Sequence, residues 1–167
     1  MEFGCITERI RARINELAEK LPVIVDSRSR IGLYRNCYLK PNEIECARAL
    51  QMEETALKEG TAEEALLHAA KELYEKCSAK GIFLTLGSRG ALFFKDGFTT
   101  RVPAVPVEPP VDIVGAGDCF LSALSLAMTA TENTETAMRF AAMASAICVK
   151  KLGTTGTASP EELRGLC

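Results

Sequence analysis

Gly115, Ala116, Gly117 and Asp118 stand between two apolar runs, in the stretch VDIVGAGDCFLSAL that starts at residue 111. Residues with little or no side chain let a backbone come close to a ligand, and glycine reaches positive φ without penalty. A helix that begins at such a turn leaves its first N–H groups unpaired at the positive end of its dipole. That combination suits a phosphate or a developing oxyanion. Asp118 falls in the first turn, where the dipole stabilises a carboxylate whatever its task. Beside a bound phosphate a negative charge is costly unless it is used. Accepting a proton from an attacking hydroxyl is such a use. A plainer reading stays open: glycines for packing and an aspartate for dipole compensation. Three competing motifs find less support. A dinucleotide fingerprint wants a small residue where Phe120 stands. A Walker A loop needs a lysine after its last glycine, and no G-x-S-x-G elbow occurs.

Two further groupings could serve the same chemistry. Asn42 and Glu45, in LKPNEIE, are three residues apart and share one face of a helix that starts there. Asparagine as N-cap with glutamate three residues later is also a capping box, which needs no ligand; the two roles are compatible. TLGSRG, residues 85–90, ends an apolar run in a glycine turn. Open α/β sheets bind ligands at the carboxyl ends of their strands, although a strand-to-hairpin turn would need the same glycines. His68, the only histidine, lies in mid-helix and reads as a surface or half-buried residue. Arg28, Arg30, Arg35 and Lys40 could reach a phosphate but read more simply as a solvated loop.

The elements that position these residues follow from periodicity. Ile10, Ile14, Leu17 and Leu21 repeat at helical spacing over residues 8–20, with Thr7 as N-cap. PVIVD (22–26) and GIFLTLG (81–87) are short apolar runs that suit buried strands. CYLKPNEIECARAL reads as a short strand, a Pro-Asn break and a helix. Thr61 and Glu64 form a capping box that opens a helix over 61–80. ALFFKDGFTTRV is a hairpin with its turn at Asp96-Gly97. Residues 103–110 hold four prolines and exclude regular structure. Two apolar helices follow, to about 130 and from about 134 to 150. Ser159, Pro160 and Glu162 start a last short helix. The apolar stripe of 119–128 reads as core. Strands alternating with helices imply a mostly parallel α/β layering in a single domain, 1–167. The chain opens with a helix where such a sheet usually opens with a strand, which predicts that an N-terminal portion of a larger fold is missing.

Composition bounds the partners. The net charge of −2 gives nucleic acid or an anionic membrane no electrostatic support, so any phosphate must be gripped locally. Seven cysteines, at 5, 37, 46, 77, 119, 148 and 167, show no C-x-x-C spacing. They read as buried thiols in a reducing cytosol rather than a disulfide framework or zinc site. MEFGCITERI lacks a signal-peptide core, and no apolar stretch reaches the length of about 18 residues that a membrane helix needs. A cytoplasmic protein is expected.

DIVGAGDCFLSAL resembles the D-T-x-G-A-G-D signature of the ribokinase-like (PfkB) carbohydrate kinases, with Ile113 in place of threonine. The resemblance implies an α/β fold, a three-layer ribokinase-like and Rossmann-like sandwich with a mostly parallel sheet, here truncated at the N-terminus. By the same resemblance Asp118 matches the catalytic base. The amides of Gly115, Ala116 and Gly117 match the anion hole, and Asp112 lies near a monovalent-cation site, with K+ the candidate ion. Members carry N-x-x-E where Asn42 and Glu45 stand, organising Mg2+ and phosphate through water. Thr85, Gly87 and Gly90, with Gly117, match positions along ATP. AAMASAICVKKLGTTG (141–156) resembles the late helix and glycine turn that border the adenine and the cation. It lacks the asparagine that many members carry near Ala142 or Met143, and a tightly packed core helix is the better explanation of its alanines.

The resemblance covers nearly the whole chain but only the C-terminal half of the family's usual length. FGCITERI…LKPNEIE looks most like the heptose-7-phosphate kinase type. The activity it implies is ATP-dependent phosphorylation of a sugar or sugar-phosphate hydroxyl, by a chain without the sugar-binding half. A non-catalytic nucleotide-binding or regulatory module is the alternative of a different class. A vitamin or nucleoside kinase of the same superfamily also stays open. The partners implied are ATP, Mg2+ and a small sugar-type acceptor. A missing half would expose strand edges and apolar faces, so self-association is expected.

Overall fold

A computed structural model describes residues 5–58 and 60–166. In chain order its elements are α1 (Glu8–Ala18), β1 (Ile24–Val25), β2 (Tyr38–Leu39), α2 (Glu43–Ala49), α3 (Glu63–Cys77), β3 (Gly81–Thr85), β4 (Ala91–Lys95), β5 (Phe98–Val102), α4 (Ala116–Ala130), α5 (Thr134–Val149) and α6 (Pro160–Arg164). The five strands form one mixed sheet in the order β1-β2-β3-β4-β5. β1, β2 and β3 run parallel, with Val25 opposite Leu39 and Leu39 opposite Ile82. Parallel neighbours need a crossover of about a dozen residues or more: α2 and α3 lie between β2 and β3, whereas residues 26–37 link β1 to β2 without an α-helix. β4 and β5 are joined by Asp96 and Gly97 at φ 50° and 81°, the two left-handed positions of the turn expected for a tight hairpin.

The chain divides into two compact units: residues up to Thr85 with Phe93–Thr99, and Leu86–Leu92 with Thr100 onward. In the first, Leu39, Ile82, Phe83 and Leu84 are fully buried, as are Leu66, Ala70 and Leu73 of α3. The Phe83 ring lies 4.5 Å from that of Phe93. This is the uniformly apolar pattern of a strand covered on both faces. In the second, Phe120 and Leu124 of α4 and Ala137, Met138, Ala141, Ala144 and Cys148 of α5 are buried. The run of alanines lets the two helix backbones pack closely.

Local signals account for most helix starts. Thr7 Oγ1 accepts the N–H of Ile10 at 3.3 Å, and Ser159 with Glu162 closes a complete capping box on α6. Four expectations need correction. α3 starts at Glu63 with Ala62 in the cap position; the Thr61 hydroxyl instead donates to the Ala56 carbonyl at 3.2 Å, so the Thr61–Glu64 box does not form. Lys40 is not in a solvated loop. Its side chain is 3% exposed and its ammonium lies 2.7 Å from the Asp26 carboxylate. In the 119–128 stripe, Leu126 is 63% exposed because it lies off the helix face that carries Phe120, Leu124 and Ala127. Cys37, Cys46, Cys77 and Cys148 are buried, but Cys5 is exposed; Cys167 lies outside the described residues. No described helix is long and apolar enough to cross a membrane.

Candidate functional site

In the first unit, parallel pairing brings the ends of β2 and β3 together. Beyond the ladder Asn42 bridges Thr85. The Thr85 N–H donates to the Pro41 carbonyl at 2.9 Å, and its hydroxyl donates to the same oxygen at 3.3 Å. Asn42 then caps α2. Its Oδ1 accepts the N–H of Glu45 at 2.8 Å, and Glu45 Oε2 accepts the N–H of Asn42 at 2.9 Å. Asn42, Glu45 and Thr85 are thus neighbours at the carboxyl edge of the strands. Glu45 is 8% exposed, and the capping bond holds one of its two oxygens. The other keeps its lone pairs for a donor such as a metal-bound water, so the capping and ligand roles fit together.

Next to this trio is a feature that the sequence reading missed. The Lys40 N–H donates to the Val25 carbonyl at 2.9 Å, which puts Asp26 and Lys40 just past the ends of adjacent strands. Their ion pair is mostly shielded from water. No signal close to either residue in the sequence marks the pair, because only the parallel pairing of the strands brings the two together.

The second unit holds the two glycine turns. Gly90, at φ 88°, has no room for a side chain: a Cβ there would lie 2.1 Å from the Val102 carbonyl oxygen. Gly87 is also left-handed, at φ 55°, but faces open space. Both positions need glycine for backbone reasons, whatever they bind. Gly115, at φ 81°, is the N-cap of α4, and a Cβ on it would meet Thr155 Cγ2 at 2.5 Å. Gly117 is helical and exposed, and Asp118 is exposed in the same first turn.

The backbone donors of this turn are not equivalent. The Ala116 N–H already donates to the Ile113 carbonyl at 3.2 Å, and that of Cys119 to the Gly115 carbonyl at 2.9 Å. The N–H groups of Gly115, Gly117 and Asp118 have no acceptor among the described residues. Of the three amides expected to face an anion, those of Gly115 and Gly117 are thus open and that of Ala116 is engaged within the turn, while the Asp118 amide is open as well. α5 fixes the turn from behind, where the Ser145 hydroxyl donates to the Ala116 carbonyl at 3.2 Å. Cys119, beside Asp118, donates to the Ala144 carbonyl at 3.3 Å. Burial pushes its thiol up from the ordinary range, so it stays protonated. Asp112 accepts backbone N–H bonds from Val114 and Gly153, each at 3.0 Å.

Residues 22–162 match the profile of the pfkB family carbohydrate kinases. The chain is 33% identical over 166 residues to the bifunctional protein HldE of Bradyrhizobium diazoefficiens, covering 96% of this chain and 32% of that protein. Among solved structures it is similar to a ribokinase of Arabidopsis thaliana complexed with ribose and ATP, with a TM-score of 0.75 at 24% identity over 95% of this chain and 50% of that one. A phosphofructokinase-2 of Escherichia coli in complex with potassium gives a TM-score of 0.66 at 19% identity, over 95% and 61% of the two chains. The chain thus spans about a third of the length of the curated relatives it matches.

Proposed function

The chain belongs to the pfkB family of carbohydrate kinases, and on that premise we propose that it carries the nucleotide-handling and phosphoryl-transfer groups of a sugar kinase. The observation that carries this reading is the opening of α4. A left-handed glycine turns the chain, N–H groups at the helix start lack acceptors, and an exposed aspartate stands in the same turn. Asp118 takes the proton of the acceptor hydroxyl as that oxygen attacks the terminal phosphoryl group. The amides of Gly117 and Asp118 bear on the charge gathering on the transferred group. Such fixed dipoles need no reorganisation during the reaction. Thr85, Gly87 and Gly90 line the nucleotide, and Asn42 with Glu45 orders Mg2+ through water. The metal supplies charge neutralisation on the phosphates when bound. The acceptor is a sugar or sugar phosphate, and the groups that recognise it lie in the part of the family's length that this chain does not span.

Two measurements on the chain test this, alone and with a complementary ribokinase-like half supplied as a second polypeptide. One is the shift in melting temperature with ATP and Mg2+. The other is phosphate transfer to a panel of sugars and sugar phosphates. Asp118→Asn should keep the ATP-induced shift and lower transfer by about a hundred- to ten-thousand-fold, the usual worth of a general base. Binding without any transfer in the completed protein would favour a nucleotide-binding module instead. An Asp118→Asn variant as active as the parent removes Asp118 from the mechanism.

A further inference from the structure

Residues 111–115 must hold one shape for the turn at the start of α4 to exist. They follow a proline-rich stretch without regular structure, Pro103–Pro110. Apolar burial does not fix them: Val111, Ile113 and Val114 are 43%, 77% and 58% exposed. The segment is instead held by hydrogen bonds that converge on one residue. The Asp112 N–H donates to the Val149 carbonyl at the end of α5, at 2.8 Å. Asp112 Oδ1 accepts from the N–H of Val114 at 3.0 Å, an Asx-type turn. Asp112 Oδ2 accepts from the N–H of Gly153 at 3.0 Å, across 41 residues of sequence. Gly153 takes φ 69°, a conformation that a side chain disfavours. Two residues further on, Thr155 fills the space against Gly115.

We propose that Asp112 is a positioning residue. Its carboxylate ties the turn before α4 to the loop after α5 and so sets the approach of Thr155 to Gly115, with no monovalent cation needed for that task. Each carboxylate oxygen already accepts one backbone N–H, so these two bonds set the position of the side chain without an ion. Charge-assisted bonds from an ionised carboxylate to amides are stronger than neutral ones, which lets one residue serve as the fastening of an otherwise exposed segment.

The test uses the 167-residue chain and does not depend on catalysis. Amide hydrogen exchange is followed at Val114 and Gly153, and melting temperature is compared in KCl and N-methylglucamine chloride at equal ionic strength. Asp112→Ala should speed exchange at both amides by about tenfold, as expected for a lost bond of about 1.4 kcal/mol. Asp112→Asn should release at least one of the two, since its amide nitrogen cannot accept. The parent should melt at the same temperature in both salts. A K+-specific stabilisation of the parent that Asp112→Asn abolishes would overturn the proposal, as would unchanged exchange in Asp112→Ala. Absence of kinase activity would not bear on either readout.

Discussion

Replacing Gly115 by alanine asks how much of the turn depends on that one residue. Gly115 holds φ at 81°, a region that costs a residue with a Cβ about 1–2 kcal/mol. The added carbon would also stand 2.5 Å from Thr155 Cγ2, far inside the contact distance of about 3.5–4.0 Å between carbons. Thr155 is exposed, so it can yield, and the collision belongs at the low end of overpacking costs, about 1 kcal/mol. The sum is roughly 2–3 kcal/mol, read as a fall in the urea midpoint with the denaturant slope unchanged. The two contributions separate by a second change. Thr155→Ser deletes the colliding methyl, so Gly115→Ala/Thr155→Ser should recover about 1 kcal/mol and leave the φ penalty. Gly117→Ala is the internal contrast. Gly117 is helical and exposed, so alanine there should stabilise by about 0.5–1 kcal/mol. A neutral Gly115→Ala, or equal effects at 115 and 117, would refute the view that the turn needs glycine at 115 and not at 117.

Other outcomes follow from the same physics. Asp26→Asn should cost more than Lys40→Met: the first strands an ammonium that is 3% exposed, the second a carboxylate that is 23% exposed. An unpaired buried charge costs about 3–5 kcal/mol, so chemical denaturation should rank the two variants in that order. Burial raises the thiols of Cys37 and Cys77 and pushes Cys46 up to about 12. Maleimide labelling at about pH 8 with peptide mapping should mark Cys5 at once and these three only on unfolding, since the thiolate is the nucleophile. The Glu162 carboxyl is held below its ordinary range by the Ser159 N–H and by Lys151. Its contribution is present above the ordinary glutamate range and fades as pH drops through the lowered value. The melting temperatures of the parent and Glu162→Gln should therefore differ at about pH 6, well above the ordinary glutamate range, and converge as the solution is acidified through the lowered value.

The features legible in the sequence are those whose cause lies within a few residues. The Asn42–Glu45 and Ser159–Glu162 boxes close over three residues, and the Asp96-Gly97 turn needs only its two left-handed positions. The start of α4 was readable because a positive φ leaves its mark as glycine. The Thr61–Glu64 box failed because Ser/Thr-x-x-Glu also satisfies a turn. There the hydroxyl found the Ala56 carbonyl five residues back, and tertiary context moved the helix start. The Lys40–Asp26 pair and the Asp112–Gly153 bond were not legible because each joins residues brought together only by the fold. Nothing near Lys40 in sequence says that parallel pairing will set Asp26 beside it.

The candidate groups in the two units also differ in how they hold charge. In the first unit the proposed Asn42 and Glu45 groups are side chains already engaged in capping α2, so their geometry is set without a ligand. In the second, the donors are backbone N–H groups at a helix start, where a side chain can only obstruct. The first arrangement tolerates change wherever the cap survives, because Asn, Asp and Ser cap comparably. The second tolerates almost none at Gly115, where both the dihedral and the space exclude a Cβ. Asp118 stands between these cases. The helix dipole favours a carboxylate there for stability alone, so the residue has a structural cause beside the chemical one. Removing its charge while keeping its shape separates the two roles: dipole compensation alone predicts a small loss of stability with chemistry intact, and proton transfer predicts that the chemistry is lost as well.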